Sequence, residues 1–128
     1  MSDSSFYKDW LQKAAEDELS LKAVLAEGAP STACFLSQQM VEKLLKALLI
    51  YGGREFPKIH DLVKLGELTQ SLHPDVVDLK RELQTLSQFY IETRYPADSP
   101  EFTAAEAREA FAMAQKVKQY VNSKISAN

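Results

Sequence analysis

The stretch STACFLSQQMVEKLLKALLIY, residues 31–51, decides the fold. Leu36, Met40, Leu44, Ala47, Leu48 and Tyr51 recur at steps of three and four, the period at which side chains return to one side of an α-helix. Cys34, Val41, Leu45 and Leu49 widen that stripe well past what one packing face needs. A helix apolar over most of its girth lies at the centre of a bundle or in a subunit interface. Its densest apolar run, Leu44 to Tyr51, is broken by Lys46. That run is far too short to cross a bilayer, which takes about 20 apolar residues. Gly52 and Gly53 end the helix.

Working outward, the same period recurs on both sides. Phe6, Trp10, Ala14, Leu21 and Leu25 make the stripe of a first helix, with Asp9, Lys13, Glu16 and Lys22 on its other face. Gly28 and Pro30 stop it, one as C-cap and one as breaker. Beyond residue 53, Arg54 to Lys58 is a short connection around Pro57. A third helix is expected from about Ile59 to Ser71, carrying Leu62, Leu65 and Leu68. His73-Pro74-Asp75 separates it from a fourth, about Asp75 to Ile91, with Val76, Leu79, Leu83, Leu86 and Tyr90 in step. Thr93 to Pro100 is irregular, and Thr103-Ala-Ala-Glu106 is a capping box that opens a last helix. Strand alternation and hairpin turns are absent. Short loops between amphipathic helices imply an all-α, up-and-down bundle of five helices, one domain over residues 1–128.

Composition agrees. The 128 residues are 45% hydrophobic and 26% charged, with 4 Gly and 5 Pro, which suits a packed fold and excludes a disordered or collagen-like chain. Net charge is −3 and the pI near 5.4, so the chain as a whole is not a basic nucleic-acid binder. Only residues 42–64 carry a positive surplus, five basic side chains against three acidic, so an anion site belongs in or beside that stretch. Met1-Ser2-Asp3 lacks the basic-then-apolar layout of a signal peptide, and the expected location is cytoplasmic, away from membranes.

Several chemistries drop out. Gly52-Gly53 follows a helix and no Gly-Lys-Ser/Thr is present, so there is no phosphate loop. His60 and His73, the two histidines, are too far apart for a zinc site, and no metal or cofactor is expected. Cys34 in mid-helix reads as a buried, inert thiol. Arg54, His60 and the loop holding Arg94 remain. Histidine donates and accepts protons near neutrality, and arginine carries a permanent charge in a fork shaped for phosphate oxygens. Arg54 and His60 stand where they can face one cleft. The competing reading is that His60 caps the third helix while Arg54 is solvated.

Four pieces in order give the chain a family likeness. They are Trp10 at the start of the first helix, Ala33 to Ala47 in the second, His60-Asp61-Leu62 after a Pro-containing connection, and Tyr90-Ile91-Glu92-Thr93-Arg94-Tyr95-Pro96 before the last helix. Over nearly its whole length the sequence resembles the HEPN family of small helical-bundle domains. The resemblance implies a five-helix bundle, commonly a homodimer, often paired genetically with a small nucleotidyltransferase. In RNA-cutting members an Arg-x(4–6)-His motif at the dimer cleft supplies the active site, and Arg54 to His60 has that spacing. Glu55 follows the arginine, Pro57 lies inside the motif, and Leu62 stands where one toxin branch has a tyrosine.

Two functions follow. The first is a dimeric module that binds a nucleotide or RNA, or a nucleotidyltransferase partner, in a toxin–antitoxin-like pair. Lys58 and Arg94 would meet phosphate, with Tyr90 or Tyr95 stacking on a base. The second is a metal-independent endoribonuclease toxin, with His60 as general acid/base and Arg54 stabilising the phosphorane. Glu55, Pro57 and the acidic pI lean toward binding. The wide stripe of the second helix predicts a homodimer that uses much of that helix, with Leu45 or Leu49 in the interface.

Overall fold

A computed structural model describes residues 6–90 and 101–125. Among them are five α-helices, one 3-10 segment and no strand: α1 (Tyr7–Glu27), α2 (Pro30–Tyr51), α3 (Leu62–Gln70), the 3-10 segment Pro74–Leu79, α4 (Lys80–Ser87) and α5 (Ala104–Ile125). Gly28 ends α1 in the left-handed conformation, φ 84°, which a residue without Cβ adopts without strain. The N–H groups of Gly28 and Ala29 turn back to the carbonyls of Leu25 and Val24. Pro30 then opens α2 at a position where its missing N–H costs nothing. A link this short folds α1 and α2 into an antiparallel hairpin.

α2 runs through the middle. It packs against α1, α5, α3 and α4, and its side chains are buried on nearly every side. Leu45 and Leu49 have 0% exposure within a single chain. This overturns the expectation that they form a subunit interface: four helices of the same chain cover the wide stripe. α5 meets α2 through Ala107, Ala110, Ala114, Val117 and Val121, all buried, at alternating steps of three and four. That spacing is the narrow seam of a coiled-coil-like contact, and its three alanines let the two backbones approach closely.

The helix ends differ from expectation at two places. α3 starts at Leu62, three residues later than its apolar period suggests, because Asp61 is the N-cap and accepts from the N–H groups of Val63 and Lys64. The fourth helix enters through a 3-10 segment at Pro74 and ends at Ser87, so Tyr90 lies just past it. The Thr103–Glu106 capping box is present in both directions, Glu106 N–H to Thr103 Oγ1 at 3.1 Å and Thr103 N–H to Glu106 Oε1 at 2.9 Å. The irregular stretch 93–100, with Arg94 and Tyr95, lies outside the described residues. Among the described residues no helix is long and apolar enough to cross a membrane.

Candidate functional site

Polar residues run along one line of α2 that its apolar surroundings conceal. Gln38, Glu42 and Lys46 are spaced i, i+4, i+8, and all three are buried. Glu42 has a side-chain exposure of 5% and collects three partners. Lys46 Nζ donates to its Oε2 at 2.9 Å, and Gln38 Nε2 donates to its Oε1 at 3.2 Å. The Nδ1 of His60 lies 3.0 Å from Oε1 and 3.1 Å from Oε2. A carboxylate only accepts, so Nδ1 carries the hydrogen. Gln38 Nε2 also donates to the carbonyl of His60 at 3.0 Å, and Gln39 Nε2 donates to Gln38 Oε1 at 2.7 Å. No buried side-chain nitrogen or oxygen among the described residues lacks a partner.

Aromatic rings complete the enclosure. The His60 ring stacks on Tyr90, centroids 4.3 Å apart and planes 12° from parallel. Phe35 lies on from Tyr90, 6.3 Å away and tilted by 40°. Phe56 meets Trp10 edge-on at 5.7 Å, and the Lys46 ammonium sits 5.4 Å from each of those two rings. Residues 52–61 are thereby pinned onto α2 at Phe56 and at His60. His60 nevertheless keeps 46% of its side chain exposed. Tyr90 stacks on one face and Glu42 takes the Nδ1 edge.

The expected site residues divide accordingly. His60 and Tyr90 come together in the stack. Arg54, Glu55 and Lys58 are exposed on the same connection, and neither Arg54 nor Lys58 makes a side-chain hydrogen bond or ion pair to another described residue. His60 does not cap α3, a role that Asp61 fills. Cys34 is buried, and burial first, then the Glu106 carboxylate, push its thiol up to about 11, which removes it as a nucleophile at neutral pH. No group of three or more His, Cys, Asp or Glu among the described residues is placed to hold a metal. Sequence reasoning missed Glu42 and Lys46 as part of the site. The signal was there, since an i, i+4 Glu–Lys pair inside an otherwise apolar helix needs a reason to be buried.

A helical bundle whose central helix holds a surface histidine through a buried carboxylate defines the class. Within that class, the HEPN domain family matches over residues 7–124, and the chain belongs to it. Two crystal structures share its fold. TT1696 from Thermus thermophilus is 32% identical, with a TM-score of 0.78 over 97% of this chain and 99% of that one. ST0689, an archaeal HEPN homologue, is 28% identical, with a TM-score of 0.75 over 93% and 97%. No curated protein matches the chain.

Proposed function

We propose that this chain is a nucleotide-binding HEPN module that acts as a homodimer beside a small nucleotidyltransferase, in a toxin–antitoxin-like pair. The nucleotide reading rests on one observation: His60 is fixed at its Nδ1 edge and stacked on Tyr90, yet 46% of its side chain stays exposed, and we assign the opposite ring face to a base. A base laid on that face extends the ladder Phe35–Tyr90–His60, and stacking of this kind tolerates any base. Arg54 and Lys58 supply charge for phosphate oxygens from the same connection. Arg94 is a candidate for the same role, and Tyr95 for stacking on the base. The dimer and the nucleotidyltransferase rest on family membership. Titration of ATP and UTP into the purified protein tests the core of the reading. His60→Ala is expected to weaken binding by the value of a stacked base, about 1–3 kcal/mol or about 5- to 150-fold. Wild-type protein that binds neither nucleotide would sink the reading, and light scattering that reports a monomer at tens of micromolar would remove the dimer.

A second reading is favoured by the Glu42 contact. A carboxylate on Nδ1 orients an imidazole so that Nε2 can move a proton, the arrangement that general acid/base histidines share. In that reading His60 works on a ribose 2′-OH or a leaving oxygen, with Arg54 stabilising the phosphorane, in a metal-independent endoribonuclease. Labelled single-stranded RNA with EDTA present separates the two. Cleavage that His60→Ala and Arg54→Ala each lower by roughly 10²–10⁴-fold establishes the enzyme. Intact RNA alongside nucleotide binding establishes the binding module.

A further inference from the structure

Lys46 is a cation enclosed by protein. Its side chain is 6% exposed, its ammonium bonds Glu42 Oε2, and the rings of Trp10 and Phe56 close over it. A buried ion pair adds little stability over apolar residues of similar volume, and removing one partner leaves a costly unpaired charge. Burial in the central helix therefore calls for a reason beyond stability. The partner supplies one, because the carboxylate that Lys46 holds is the group that holds His60.

We propose that Lys46 is a positioning residue for His60. A glutamate carboxyl turns easily about its last torsion, where the energy wells are broad. Gln38 secures Oε1 and Lys46 secures Oε2, so the plane is fixed with both oxygens facing Nδ1. The imidazole is then held in its Nδ1–H form, flat on Tyr90, with the Nε2 lone pair left as an acceptor. The other groups near the ring do not substitute for this. Asp61 is engaged at the start of α3, where it also receives the Ser87 hydroxyl, and Tyr90 meets the face of the imidazole in the stack. Without Lys46, Oε2 loses its anchor, the carboxylate rotates, and the ring exchanges between tautomers. The inference rests on the reading of His60 as the group that meets the ligand.

Nitrogen-15 spectra of labelled histidine at one neutral pH report the tautomer directly, apart from any ligand. Wild-type protein is expected to show the Nδ1–H form of His60, and Lys46→Met is expected to lose it while nucleotide affinity falls. Lys43→Met serves as the control. It removes the half-buried Lys43–Asp17 pair between α2 and α1, so it weakens the bundle while leaving the His60 signals unchanged. A folded Lys46→Met protein with the wild-type tautomer overturns the proposal. Should that variant not fold, hydrogen exchange of the Lys46 ammonium in the wild type decides. Slow exchange supports a fixed donor, and exchange as fast as that of surface lysines overturns it. A His60 signature that responds to Lys46→Met in a protein that binds no nucleotide leaves the positioning intact and removes the functional reading.

Discussion

Single residues decide where His60 stands. Gln38, Glu42 and Lys46 form the ledge on α2, and Asp61 sets the point at which the connection becomes helix. Asp61 does two jobs with one carboxylate: it accepts from the N–H groups of Val63 and Lys64, and it receives the Ser87 hydroxyl at 3.5 Å. Ser87 Oγ in turn accepts from the Leu62 N–H at 3.3 Å, tying the start of α3 to the end of α4. Asp61→Ala is therefore expected to cost about 1 kcal/mol of stability, read from the urea midpoint. An unchanged midpoint would show that α3 starts without its cap. His60 and Tyr90 were legible in the sequence as candidates, because few residue types combine a titratable or aromatic ring with a surface position. The ledge left a weaker signal, a Glu–Lys pair at i, i+4 inside an otherwise apolar helix, and spacing alone does not say whether such a pair is solvated or buried.

At the scale of elements, the apolar period made all five helices legible, and Gly28, Gly52 and the Thr103–Glu106 box marked ends that the structure keeps. What periodicity does not say is which neighbour covers a stripe. α2 has apolar residues almost all round, and the width alone fits a dimer interface as well as a bundle centre. The structure resolves the choice because α1, α5, α3 and α4 all pack on it. Leu49 is thus a core residue, and Leu49→Ala is expected to cost about 2–5 kcal/mol from lost burial and the cavity left behind. Chemical denaturation measures this directly. A variant that kept full stability and changed only its sedimentation or scattering would return Leu49 to an interface. The late start of α3 and the 3-10 entry at Pro74 escaped prediction for a related reason. Both are set by local backbone bonding at Asp61 and Pro74, which leaves the apolar spacing unchanged.

Across the whole molecule, α5 is tied to the rest by carboxylates from three different elements. Glu18 on α1 accepts from Gln115 and Lys118, Asp75 in the 3-10 segment accepts from Tyr120 and Lys124, and Glu82 on α4 accepts from Lys116. Burial alone would raise the Glu18 and Glu82 carboxyls, but the hydrogen bonds and positive charges of these partners outweigh it and hold both below the ordinary value. Asp75, with half its side chain exposed, is held low by its bonds from Lys124 and then Tyr120. A carboxyl lowered in the folded state contributes stability above its unfolded value, near 4, and loses that contribution as pH falls through the folded one. Acid therefore loosens the three ties together, while the seam of Ala107, Ala110, Ala114, Val117 and Val121 keeps its apolar contacts. Stability is expected to hold from neutrality to about pH 5 and to fall from there toward pH 3, and Glu18→Gln is expected to flatten part of that fall. Hydrogen exchange at pH 3.5 is expected to show α5 losing protection before α2, because α2 owes its place to burial on every side. Thermal melts that stay level from pH 6 to pH 3 would show that these ion pairs are too well solvated to hold α5, and that its seam alone keeps it in the bundle.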